Sequence, residues 1–512
     1  MTLSFKNANL YAILSQGFAA DRQSVAIHTP ARDYTWAELE QTSARIAHVL
    51  SDLNLQPGAR VAVQTEKSPE ALMLYLACVR AGYVYLPLNT AYTVPELAYF
   101  LGDAEPELVV VDPSRVAAMQ TILQQANIQH LLTLDAQGQG SVMDQAAGKS
   151  DQFDTVISQP DDLAAILYTS GTTGRSKGAM LSHENLSSNA AVLKDYWGWQ
   201  ADDVLLHMLP IFHVHGLFVA SHGALLAGAR MIWLPRLDID QAIHYLPQST
   251  VMMGVPTYYV RLLDDPRFTR ELCASMRLFI SGSAPLLLDT FQQFTDRTGH
   301  AILERYGMSE TIMLTSNPYQ PEHGARVGGT VGVPLPGVQV RVVDDNGQVL
   351  TGLEQIGNVQ VRGPNVFAEY WRMPEKTREE FTEDGWFRTG DLGKWTDVSA
   401  PQPYLSIVGR GKDLIISGGY NVYPKEVELL IDTFEGVNES AVIGVPHKDF
   451  GETVIAVVVP QQGVSLDKEA LQSLLKNNLA NYKQPKQIHI VDSLPRNTMG
   501  KVQKNVLREQ YA

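Results

Sequence analysis

The chain has 512 residues, 45% hydrophobic and 19% charged, with a formal net charge of −15 and two cysteines. Such a length allows about three core-forming units. The acidic balance excludes a nucleic-acid surface or an anionic membrane as partner, and no apolar run reaches the ~18 residues of a membrane span.

The first fourteen residues, MTLSFKNANLYAIL, lack the basic–apolar–small pattern of a signal peptide. Cys78 and Cys273 lie in apolar surroundings without metal-ligand spacing, so reduced core residues and a cytoplasmic location are expected. In chain order, Thr35–Glu38 reads TWAE, a capping box ahead of Leu39, Ile46, Leu50 and Leu53 at helical spacing. Val61–Val63 predicts a strand, residues 69–81 a helix, and Val84–Leu88 and Leu108–Val111 buried strands. Strands alternating with helices predict a parallel sheet in an α/β layer. Residues 136–159, rich in Gly, Gln, Ser and Asp, read as a surface connection. Five apolar strands follow: Leu163–Leu167, Leu205–Leu209, Val251–Val255, Leu278–Ile280 and Ile302–Leu303. Each ends in a polar or glycine-rich loop. Ligands of open α/β sheets bind beyond the carboxyl ends of strands, so these loops should converge on one crevice. The expected organisation is an N-terminal domain, 1–408, of parallel α/β layers (1–160 and 161–336) with a small β-rich subdomain (337–408). A mobile α+β lobe, 409–512, would follow.

Residues Tyr168–Gly178, YTSGTTGRSKG, stand out. Glycines let backbone N–H groups approach a bulky anion; the hydroxyls add donors and Lys177 a charge. The stretch reads as a polyphosphate loop, although its register is not GxxxxGK[ST]. Five further stretches follow in order: SGSAP (281–285), YGMSE (306–310), TGD (389–391), GRGKD (409–413) and PRNTMGK (495–501). Together the six resemble the adenylate-forming superfamily of acyl-CoA synthetases, luciferases and peptide-synthetase adenylation domains, over nearly the whole chain.

The resemblance implies that a carboxylate attacks ATP to give an acyl-adenylate, which CoA then captures. It implies ATP and AMP contacts from Thr169, Ser170, Gly171, Thr172, Thr173, Gly174 and Lys177 at the phosphates. Gly282, Ser283, Ala284, Glu304, Tyr306, Gly307 and Ser309 would surround the base, and Asp391 and Arg410 the ribose. Thr172 and Glu310 would meet Mg²⁺. Lys501 would reach the α-phosphate and the attacking carboxylate, Lys412 would be the hinge, and Ser417, Gly418 and Gly419 would face CoA. Ser309 stands where the family usually has threonine, with the hydroxyl kept. Two departures from the family pattern, at residues 355–358 and at Ala368-Glu369-Tyr370, are expected to affect local turns only.

Three arginines adjoin the segments that wall the family's acyl pocket: Arg261 after GVPT, Arg277 and Arg305. A desolvated arginine calls for an anion, which a dicarboxylate would supply as a bidentate partner. The resemblance is closest to the malonate-activating members. It implies Arg261 as anchor of the distal carboxylate, with Ser283 and His213 beside it and His213 also catalytic, lining the pyrophosphate exit. Methylmalonate, one methyl larger, should be tolerated. A ligase for another short or aryl acid is the alternative. An AMP sensor without catalysis is the alternative of a different class, although Lys501 and Glu310 are both present. Small molecules are the expected partners; the oligomeric state is left open.

Overall fold

The structure is a computed structural model that describes residues 7–169, 176–417, 420–447, 451–497 and 500–512. Two large sheets form the body. The first runs in the order His130–Thr133, Leu108–Val111, Arg60–Gln64, Val84–Pro87, Leu163–Thr169, Lys177–Ser182, parallel except for its last pair. The second holds nine strands. Its parallel centre comprises Leu303–Tyr306, Leu278–Ser281, Val251–Gly254, Val204–His207, Arg230–Trp233 and Val25–His28. Near-continuous apolar strands such as Leu108–Val111 and Leu278–Ser281 are what a sheet covered on both faces requires.

The two sheets share one core. Helix Pro69–Arg80 is buried at all 12 of its positions, and Leu72, Leu74 and Leu76 belong to the same apolar cluster as Val61 of the first sheet and Leu205 and Ile280 of the second. Ser68 starts this helix by accepting from Ala71 N at 3.0 Å. The capping box before helix Trp36–Asp52 is present, with Thr35 Oγ1 accepting from Glu38 N at 3.1 Å and Glu38 Oε2 from Thr35 N at 2.7 Å.

Three features differ from the expectations. A boundary between residues 160 and 161 would cut through both sheets. Val25–His28 and Asp33–Thr35 belong to the second sheet, while Leu163–Thr169 and Lys177–Ser182 complete the first. Residues 136–159 are not only a connection: helix Ser141–Ala146 buries Val142 and Ala146. Residues 369–371 are not a free turn, but lie beside strand Lys177–Ser182, with Trp371 N donating to Gly178 O at 2.7 Å.

A four-stranded antiparallel sheet, Gln339–Val343, Gly357–Arg362, Phe387–Thr396 and Tyr404–Arg410, follows the body. The C-terminal lobe has a five-stranded sheet around Val437–His447 and Gly451–Pro460, with its own apolar clusters. The fold is thus mixed α/β with a separate C-terminal unit. Among the described residues, no helix is long and apolar enough to cross a membrane.

Candidate active site

Strand Leu303–Tyr306 ends where the body, the antiparallel sheet and the C-terminal lobe meet. Alternation along a strand sends successive side chains to opposite faces. Glu304 and Tyr306 take one face. Tyr306 Oη donates to Asp391 Oδ2, and Asp391 Oδ1 receives Arg410 Nε at 2.9 Å. Asp391 and Arg410 are register partners on adjacent strands, so the pair is built into the sheet. Gly390, at φ +73°, sits at a register irregularity within strand Phe387–Thr396, and Thr389 Oγ1 accepts from Asp391 N at 3.1 Å. Asp391 holds the guanidinium of Arg410 above its ordinary pKa. Burial, followed by Asp391, pushes the Tyr306 phenol well above its own. Glu304 accepts from Gly329 N at 3.0 Å, and burial pushes its carboxyl up to about 8. Gly307 lies so close to Ile312 O that a Cβ would sit 1.9 Å from it. Ser309 is half-buried just beyond.

Arg305 takes the opposite face. It is only 4% exposed, and its Nε and Nη2 have no hydrogen-bond partner among the described residues. Its guanidinium lies on Gly282, where a Cβ would stand 2.3 Å from Cζ; a small residue in SGSAP is therefore a matter of room. Ser283 adopts φ +71° and its Oγ lies 3.3 Å from His215 Nδ1. His215 Nε2 and Ser281 Oγ are buried without partners among the described residues. His213 Nδ1 accepts from His215 N at 3.2 Å. Burial, then the charges of Lys501 and Arg305, drive the His213 imidazole down to about 3. Burial also lowers Arg305, to about 9. This compartment thus holds one buried cation, two neutral imidazoles and unused polar groups, and Arg305 makes no ion pair with a described residue.

The arginines therefore part company. Arg277 is committed to Asp203, at 2.7 and 2.5 Å, and to Trp197 O at 3.1 Å. Arg261 is exposed on helix Pro256–Leu263, without a hydrogen bond or ion pair to a described residue, one turn beyond Thr257. Thr257 itself borders the turn of Lys501: a Cβ at Gly500 would lie 3.8 Å from Thr257 Oγ1.

That turn is pre-formed. Lys501 N donates to Asn497 Oδ1 at 2.9 Å, and Asn497 N to Lys501 O at 2.9 Å. Arg496 pairs with Glu439, and Lys504 Nζ with Glu428 Oε1 at 2.5 Å. The Lys501 side chain is open to water yet walled by protein, within the electrostatic reach of Arg410, Asp391, Glu310 and Arg305. Burial in the cleft, then Arg410, lowers it to about 8.

At the far end, Lys177 Nζ lies 3.2 Å from Glu380 Oε1 and 4.2 Å above the Tyr370 ring. Tyr370 Oη donates to the buried Glu310 at 2.9 Å. The sequence reading missed Tyr370, treating its segment as a turn; its only local signal was an aromatic in an apolar context. Among the described residues no group of three His, Cys, Asp or Glu could hold a metal. One buried carboxylate fits a divalent ion that arrives on a nucleotide and keeps most of its ligands from phosphate and water. Thr169 Oγ1 lies 3.5 Å from Lys177 O, and Ala284 is half-buried beside Ser283. Ser170, Gly171, Thr172, Thr173 and Gly174 lie outside the described residues, as do Gly418 and Gly419. Lys412 is exposed in the turn Gly411–Asp413, and Ser417 is buried.

A sequence profile described as AMP-binding enzyme matches residues 16–371, and one described as AMP-binding enzyme C-terminal domain matches residues 426–501. A mitochondrial malonate–CoA ligase of Mus musculus is 38% identical over 465 residues, which cover 84% of this chain and 78% of the relative. The crystal structure of ATP-bound MatB from Rhodopseudomonas palustris is 56% identical, covers 99% of both chains and superposes with a TM-score of 0.95. The apo form of the same protein, over the same 99% of each chain and at the same 56% identity, gives 0.85. At equal identity and coverage, the overall conformation here superposes better on the ATP-bound form. The chain belongs to the AMP-binding enzyme family.

Proposed function

We propose that the protein is an AMP-forming malonate–CoA ligase, converting ATP, malonate and CoA to malonyl-CoA, AMP and diphosphate through a malonyl-adenylate. The observation that carries this reading is Arg305, a buried guanidinium with unused donors beside two neutral histidines. A small dianionic acid supplies the missing partner. Its distal carboxylate would pair with Arg305, with Ser283 and His213 beside it and Arg261 at the rim. Its other carboxylate would then face Lys501.

Lys501 would meet the negative charge that grows on the α-phosphate as the proximal carboxylate attacks, which is electrostatic stabilisation by a pre-placed donor. Tyr306 would lie along the adenine, with Glu304, Gly307, Ser309 and residues 282–284 around it. Asp391, paired with Arg410 at 2.9 Å, would accept hydrogen bonds from the two ribose hydroxyls. Lys177 and residues 169–174 would cradle the β- and γ-phosphates. Glu310 and the Thr172 hydroxyl would hold Mg²⁺, which when bound would supply charge neutralisation at the phosphates. CoA would enter past Ser417, Gly418 and Gly419 after the C-terminal lobe turns about Lys412. The two buried, unpaired cysteines suit a reducing cytoplasm.

The test is a pyrophosphate-release screen over acetate, malonate, methylmalonate, succinate and benzoate. Malonate should lead, with methylmalonate next. Acetate should fall about 10⁴-fold below malonate, because it leaves the buried guanidinium unpaired. Equal rates with acetate or benzoate would end the dicarboxylate reading and leave a general acid–CoA ligase.

A further inference from the structure

Tyr370 sits where the phosphate loop returns to the sheet. Met180 N donates to Glu369 O at 3.2 Å, Trp371 N donates to Gly178 O at 2.7 Å, and Ala179 and Tyr370 are bridge partners. This backbone clamp fixes the tyrosine at 2% exposure, and Phe367 packs edge-on to its ring at 4.7 Å between centroids. One face of the ring carries Lys177 Nζ at 4.2 Å. The hydroxyl donates to Glu310 Oε1 at 2.9 Å. A single side chain therefore touches both the lysine that leaves the phosphate loop and the buried acid of the YGMSE stretch. The hydroxyl's one proton commits Oε1 of Glu310. The second carboxylate oxygen has no partner among the described residues.

We infer that Tyr370 is a positioning residue for the polyphosphate end of the site, an inference that rests on the nucleotide-binding reading above. Its hydroxyl turns Glu310 so that the unused oxygen faces a divalent cation on the nucleotide. Its ring face, with Glu380 alongside, holds Lys177 where the phosphates arrive. A side chain that merely filled the core would need neither contact. Outer partners that orient a metal-binding carboxylate are worth about 10–100-fold in affinity, and an aromatic face steadies an ammonium by a smaller amount.

The test uses the full-length protein, with ATP binding followed by calorimetry in Mg²⁺ and in EDTA. The gain in affinity that Mg²⁺ brings should shrink about tenfold in Y370F, with binding in EDTA and the malonate KM unchanged. Y370L should in addition weaken binding in EDTA, because Lys177 loses its platform. As a control against loss of fold, Y370F placed on E310Q should cost nothing further in the Mg²⁺ increment, since the hydroxyl acts through that carboxylate. An intact increment in Y370F, or equal losses with and without Mg²⁺, would overturn the inference while leaving the nucleotide reading in place. A wild type that binds no ATP would overturn both.

Discussion

Among the three arginines of the acyl region, burial and pairing separate the roles. Arg277 is neutralised by Asp203, Arg261 is exposed, and Arg305 is buried without a counter-ion among the described residues. Breaking a buried pair is costly, but replacing an uncompensated buried charge by an apolar group of similar size is neutral or stabilising. Arg305→Met should therefore leave the thermal midpoint unchanged or raised, while kcat/KM for malonate falls by about 10³-fold or more. The ATP KM should hardly move, and the preference for malonate over propionate should narrow; steady-state pyrophosphate release measures all three. Arg261→Ala should raise the malonate KM more than the ATP KM, by a smaller factor than the Arg305 change. The same cleft sets a pH dependence. The Lys501 pKa is lowered to about 8, and its openness to water draws it back toward the ordinary 10.5. The lysine acts as a cation, so kcat/KM for adenylation should fall as pH rises through that interval. His213, held near 3, adds no limb at neutral pH. Lys501→Arg keeps its charge throughout, and the alkaline limb should disappear from the rate profile.

At the scale of elements, the body depends on a buried ammonium that ties its two sheets together. Lys67 Nζ, beyond strand Arg60–Gln64 of the first sheet, donates to His207 Nδ1 at 2.9 Å, His207 O at 2.8 Å and Leu234 O at 2.7 Å. It also lies 4.4 Å from the centre of the Trp233 ring. His207 Nε2 in turn lies 3.0 Å from Gly216 O, in the π-helical turn that follows His213. Burial lowers the ammonium's pKa well below its ordinary value, while three acceptors and an aromatic face work against that shift. Lys67→Met strands three buried acceptors at ~1 kcal/mol or more each. Unfolding in urea should register a loss of about 3 kcal/mol, with malonate KM raised because the His213 turn is loosened. None of this was legible in the sequence, where Lys67 is one charge in a loop. What was legible is local: TWAE as a capping box, and alternating strands and helices. Sheet membership was not, because Val25–His28 pairs with Arg230–Trp233 some two hundred residues away, and periodicity carries no partner. The motifs named the candidate nucleotide contacts, since each is read from one turn or strand. The acyl anchor and Tyr370 depend on which side chains meet across the cleft, which is tertiary information.

For the whole molecule, the decisive relation is between the lobe and the body. Lys501 stands among Arg410, Asp391, Glu310 and Arg305 only because the C-terminal lobe is turned toward the cleft. Arg508 at the chain's end binds Asp413 in the joint at 2.9 Å, and Glu428 anchors Lys504. These ion pairs bind the lobe to itself and to residue 413, so the rotation proposed about Lys412 would carry it as one piece. Two variants should split the reaction in opposite directions. Lys501→Ala removes the cation of the first step, so ATP-dependent adenylate formation should be lost while thioester formation from ready-made malonyl-AMP and CoA survives. Lys412→Pro acts on the joint. The turn Gly411–Asp413 is 3₁₀, whose φ suits proline, and the glycine before it escapes the Cβ part of the usual pre-proline clash. Proline there favours the pose seen here and resists the rotation away from it. Adenylate formation by Lys412→Pro should therefore stay within about threefold of wild type while the CoA step falls by two orders of magnitude or more. Rapid-quench measurement of each half-reaction separates the two. If both variants lose both steps in equal proportion, the lobe is fixed and CoA reaches the adenylate by another route.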